Sequence, residues 1–193
     1  NEIYIDQTGS NATININQDG SSNRVGATGD ISTSDGSTTT MDIDQVGSSN
    51  VLDYNIYGTN ADVTSNTQGS SSDIGINIGT TGGSNGGSDD VSVTLNNTGD
   101  SNTVDVNVGT ATSVTTDDVD IDIDITGDSN TVTVTENSTA ASISDKLTDI
   151  DITGSTNTVT ASKSGSAQHD TTINHTGSSS TISVTQSGAE AST

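Results

Sequence analysis

The chain has no cysteine, no proline, no tryptophan and no phenylalanine, and only three lysines and arginines stand against 26 aspartates and glutamates. Each shortage closes something off. Without cysteine there are no disulfides and no thiolate metal ligands. Tyr4, Tyr54 and Tyr57 are the only aromatic residues, and 26% of the chain is hydrophobic. Ordinary domains are roughly 45–50% apolar, counting glycine, so a thick globular core is excluded. The basic side chains are Arg24, Lys146 and Lys163 alone. Phosphate backbones are bound by clustered cations, so nucleic acid is not a partner, and anionic lipid is disfavoured for the same reason. No apolar run nears the ~20 residues of a membrane span, which argues against membrane insertion. Low hydrophobicity with a net charge of −23 would on its own suggest disorder.

What is present argues the other way. The phrase TGDSNTVTVT (126–135) returns as TGDSNTVDVNV from Thr98 and as TGSTNTVTAS from Thr153. Aligned on its glycine, it gives seven copies, at Gly9, Gly47, Gly69, Gly99, Gly127, Gly154 and Gly177. Before each glycine lies a segment alternating apolar and polar residues, termed A: Ile3-Ile5-Gln7, Met41-Ile43-Gln45, Val93-Leu95-Asn97 and Ile121-Ile123-Ile125 are examples. After each lies a second, termed B: Ile14-Ile16-Gln18, Leu52-Tyr54-Ile56, Val104-Val106-Val108 and Ile182-Val184-Gln186. Period-two alternation rich in β-branched residues marks strands. The turn between them pairs its glycine with Asn50, Asn102, Asn130 or Asn157, residues that accept positive φ or cap their own backbone. Helical periodicity is absent throughout.

The A–B half is nearly constant in length. The return to the next A varies, with long loops at 26–40, 79–90, 109–118 and 137–146. A unit of two short strands cannot bury its own apolar face, whereas stacked units can. The expected fold is therefore all-β: a parallel β-solenoid of about seven two-strand coils forming one array over residues 1–193. At ~4.8 Å per strand it would be on the order of 30 Å tall. Gln7, Gln18, Gln45, Asn97 and Gln186 take the inward parity beside the aliphatic residues, where stacked amides would form a polar ladder.

IYIDQTGSNATININQDGSSN (3–23) and MDIDQVGSSN (41–50) resemble the curlin repeat of bacterial curli fibre subunits, closely over the first quarter of the chain. The later coils keep glycine and asparagine but replace glutamine. The resemblance implies a secreted subunit, found outside the cell in a biofilm matrix, that polymerises into an amyloid-like fibre. The Thr/Asn/Gly-rich phrases are also similar to those of marine phage virion proteins, which implies a fibre or decoration role on a virion instead. The chain opens at Asn1 rather than Met, which reads as the mark of a removed leader.

Monomeric solenoids cap their ends, and no cap is visible here. Ile3, Ile5, Gln7, Ile14 and Ile16 at one end, and Ile173, Ile182, Val184 and Gln186 at the other, would be polymerisation edges. The expected partner is the chain itself, head to tail, with a nucleator or a surface as a further partner. Asp122 and Asp124 in one coil and Asp149 and Asp151 in the next fall into two outward rows, where a calcium ion could bridge the carboxylates. No cofactor is required. The alternative is a solvated acidic stripe. GGSDDVSV (86–93) is weakly similar to the calcium-binding nonapeptide, but it occurs once and lacks the required glycine spacing. Thr131, Thr133 and Thr135 begin a threonine array of the kind ice-binding solenoids use, although threonine is also an ordinary exposed strand residue. His169 and His175, six residues apart, could bind a metal, although two lone histidines more often have no such role. No nucleophile elbow or phosphate loop is present, so no enzyme activity is expected.

Overall fold

Alternating β-branched residues, interrupted every few residues by Gly-x-Ser/Thr-Asn, favour short strands joined by tight turns. The computed structural model describes residues 1–9, 11–26, 32–35, 38–56, 60–79, 90–109, 118–137, 146–165 and 169–187, and all of its regular structure is β. Most of the four long returns, with Tyr57, Gly58, Thr59 and Gly86 to Asp89, lies outside the described residues.

Two parallel sheets face each other. One contains seven strands: β3 (Asn11–Asp19), β6 (Thr38–Val46), β8 (Asn60–Gln68), β10 (Asp90–Thr98), β12 (Val119–Thr126), β14 (Lys146–Thr153) and β16 (His169–Thr176). The other contains β7 (Val51–Ile56), β9 (Asp73–Ile78), β11 (Thr103–Val108), β13 (Thr131–Asn137), β15 (Thr158–Ser164) and β17 (Thr181–Ser187). Four short strands complete it: β1 (Glu2–Ile3), β2 (Asp6–Thr8), β4 (Arg24–Val25) and β5 (Ser32–Asp35). β1 pairs with β4 and β2 with β5, so the ten strands of this sheet occupy eight levels against seven in its partner. Chain order alternates between the sheets, and every pairing is parallel, as a β-solenoid requires. Six coils have unbroken strand pairs, from β6–β7 to β16–β17.

The interior is thin. In β12 the burial pattern alternates strictly, with Ile121 and Ile123 buried and Asp122 and Asp124 exposed. One core column runs Ile3, Val25, Leu52, Ile74, Val104, Val132, Val159, Ile182, one residue per level. Tyr54 fills the core between Leu52 and Ile56.

The first coil departs from the expected alignment. Ile3 and Gln7 lie in the ten-stranded sheet with the B segments, while Ile14, Ile16 and Gln18 lie in the seven-stranded sheet with the A segments. The turn glycine of that coil is Gly20, not Gly9. Gly20 N donates to Val46 O and Ser22 N to Ser48 O, which puts this turn in the stack, and an asparagine accompanies it. Asn50 Nδ2 donates to Gly47 O at 3.0 Å and Asn102 Nδ2 to Gly99 O at 2.8 Å, a contact that needs asparagine three residues after glycine. Gly20 and Asn23 meet this spacing, with Asn23 Nδ2 3.3 Å from Gly20 O. Three residues after Gly9 comes Ala12.

Candidate functional site: end rungs and polar columns

The turns stack as tightly as the strands. Each places a residue with φ near 60° two positions after the glycine, as at Ser49 and Ser129. In three turns the following asparagine is buried and its side-chain oxygen accepts from the backbone of the previous turn: Asn130 N donates to Asn157 Oδ1 at 2.7 Å, Asn102 N to Asn130 Oδ1 at 2.8 Å and Ser72 N to Asn102 Oδ1 at 2.8 Å. The glycines are required by the stacking itself. A Cβ on Gly47 would sit 1.4 Å from the carbonyl oxygen of Gly20, and on Gly127 2.1 Å from that of Gly99. The same overlap recurs at Gly154 and Gly177, so these residues build the column.

The expected single polar ladder divides in two. Gln18 and Gln45 share a column in the seven-stranded sheet, and Gln45 Nε2 donates to Gln18 Oε1 at 3.0 Å. That column continues through Thr67, Asn97, Ile125, Ile152 and His175. Neither amide atom of buried Asn97 has a hydrogen-bond partner, so the ladder stops after its first step. Gln7 and Gln186 belong to the opposite sheet, at the two ends of a column running Gln7, Ser34, Ile56, Ile78, Val108, Glu136, Lys163, Gln186. Gln186 Nε2 donates to Thr171 Oγ1 at 3.0 Å.

Within that column lies a feature that the sequence reading passed over. Glu136 and Lys163 are directly paired in register and fully buried, with Lys163 Nζ 3.4 Å from Glu136 Oε1. Thr148 Oγ1 donates to the same carboxylate oxygen, and Lys163 Nζ donates to Asp170 O at 2.7 Å. Burial pulls the Lys163 amine below the usual lysine range, against the opposing pull of Glu136. The signal was available: both residues stand nine positions after a coil glycine, with opposite charge, where neighbouring coils carry valine or glutamine.

Among the described residues, β17 pairs only with β15 and β16 only with β14. Ile182 and Val184 hold core positions, yet they are 45% and 46% exposed, whereas their register partners Val159 and Ala161 are fully buried. Ile173 in β16 is partly buried. At the other end, Ile14 and Ile16 of β3 are buried, while Ile3 and Ile5 are partly buried. Among the described residues, no strand covers either edge.

The aspartate rows form as expected. Asp122 pairs in register with Asp149, and Asp124 with Asp151. Partial desolvation and the charges of Asp124 and Asp149 raise the Asp122 carboxyl, while desolvation and Asp151 raise Asp149. Among the described residues, no three His, Asp or Glu side chains converge as a metal centre would need. His169 is buried at the start of β16, and His175 Nε2 lies 2.7 Å from Ser180 Oγ. That hydroxyl also accepts from Asn157 N at 3.0 Å, which makes it part of the turn stack. The threonine array is in register across three rungs: Thr131, Thr158, Thr181; Thr133, Thr160, Ser183; and Thr135, Ser162, Thr185.

In comparisons with known proteins, no family model, no curated protein and no solved structure matches the chain.

Proposed function

We propose that the protein is a structural, self-assembling fibre subunit of an extracellular matrix, whose copies stack head to tail through their end rungs. One observation supports this most: Ile182 and Val184 are core-position residues exposed on the last described strand. Covering them with another rung removes apolar surface from water at roughly 25 cal/mol per Å², and the unpaired edge of β17 templates a parallel strand. A second copy of the chain supplies the matching rung. By register, β1 and β2 would place Ile3 over Ile182 and Gln7 over Gln186. The contact is heterologous and does not close, so it generates a filament.

Eight levels in one sheet and seven in the other set the repeat. A copy seated on β17 through β1 and β2 advances by eight strand spacings, about 38 Å. The figure from seven coils would be ~34 Å. The seven-stranded sheet is then one rung short at every junction, which makes the junction the weakest point of the filament. Charge opposes assembly, since each copy carries −23. Screening shortens the Debye length to about 3 Å at 1 M salt, so high salt favours growth.

The reading is tested by negative-stain microscopy of the purified chain at low and high salt, beside the double variant Ile182→Lys, Val184→Lys. Filaments from the parent chain, more abundant at high salt and absent from the variant, are expected. Monomers of the parent chain at every salt concentration would end the proposal. The in-register threonine array favours a second reading, a monomeric solenoid whose flat hydroxyl face binds an ordered surface such as ice. Monomers that shape growing ice crystals would select that reading.

A further inference from the structure

Glu136 and Lys163 face each other from adjacent rungs in a part of the core closed to water. A buried ion pair is costly unless all of its hydrogen-bonding capacity is used. Here it is not. Glu136 Oε1 has Thr148 and Lys163 as partners, but Glu136 Oε2 is buried with no hydrogen-bond partner among the described residues. We propose that Lys163 and Glu136 condense into an intramolecular amide, a covalent staple between β13 and β15.

The chemistry balances within the pair. Transfer of one proton from the ammonium to Glu136 Oε2 leaves a neutral amine beside a neutral carboxylic acid, the form that a dry interior favours. The Nζ lone pair attacks the carboxyl carbon. Charge develops on Oε1, where the Thr148 hydroxyl already donates a hydrogen bond. Collapse of the tetrahedral intermediate breaks the bond from carbon to Oε2. This oxygen leaves with its own proton and one from nitrogen, as water. One C–N bond forms, one C–O bond breaks, and no oxidant, reductant or co-reactant is needed.

The product suits the site better than the ion pair does. The amide N–H keeps its hydrogen bond to Asp170 O, now 2.7 Å from Nζ, and the amide oxygen keeps the one from Thr148. The atom expelled is the one without a partner. Two charges also disappear from the core. Burial of the lysine, which favours its nucleophilic amine form, works in the same direction. The cross-link depends only on contacts inside one subunit, so it stands or falls independently of filament formation.

The test is the intact mass of the purified full chain, followed by trypsin digestion after denaturation. The chain should be lighter than its sequence by one water. Trypsin should leave Lys163 uncut, and the fragment starting at Leu147 should stay joined to the one containing Glu136. The Lys163→Met variant should show its full mass. If that variant does not fold, the digest of the parent chain decides alone. A parent chain of full mass, or one cleaved after Lys163, would overturn the proposal. So would a lost water that maps elsewhere, such as a succinimide at Asp19-Gly20.

Discussion

At the scale of single residues, two glycines respond in opposite directions to substitution. Gly127 has φ +142°, and an added Cβ would overlap the Gly99 carbonyl, so Gly127→Ala is expected to cost on the order of 2 kcal/mol. Gly75 lies mid-strand in β9, where a Cβ would meet nothing closer than Asp53 Oδ1 at 3.4 Å. Gly75→Ala should stabilise by about 0.5–1 kcal/mol, because alanine loses less backbone entropy on folding. Thermal unfolding of both variants checks the opposite signs. The turn glycines and asparagines were legible because the phrase repeats. Gly9 and Gly20 head two glycine phrases eleven residues apart, and of the two only Gly20 has asparagine three residues on, as most of the later turns do. The buried Glu136–Lys163 pair escaped because alternation gives a side chain's direction but not the partner that stacking brings to it.

At the scale of the strand, the two aspartate rows make β12 and β14 sensitive to pH. Asp122 and Asp149 have carboxyls raised in the folded state above their usual 3.8, so the fold binds protons more tightly than the unfolded chain does. The penalty is absent below 3.8 and complete above the raised folded value. Stability should therefore rise as pH falls from neutrality into the carboxylate range. The Asp122→Asn, Asp149→Asn variant should melt higher than the parent at pH 7, with the difference shrinking toward pH 4. A difference that does not change with pH would contradict this origin. Strand positions, inward parity and the pairing of these rows were readable from period-two alternation. The splitting of β1 from β2 was not, because the same alternation runs through Ile3 and Ile5 with no visible break, and β5 (Ser32–Asp35) falls within the segment expected to be the 26–40 return loop, where no apolar alternation marks a strand.

At the scale of the whole molecule, a parallel stack has no intrinsic reason to stop. The thin core is completed at each level by the next, so the last level must be capped or shared. In this chain Ile182 and Val184 hold core positions on the last described strand and are exposed, and the same columns begin at Ile3 and Gln7. The solenoid could be read from the repeat. The half-coil difference between the sheets could not, since it depends on assigning Ile3 to one sheet and Ile14 to the other. Fibre diffraction or helical reconstruction of material assembled at high salt measures this directly. The account predicts strands perpendicular to the fibre axis, with an axial spacing of ~4.8 Å and a subunit rise of about 38 Å. Filaments with strands running along the axis, or a chain that stays monomeric under the same conditions, would contradict it.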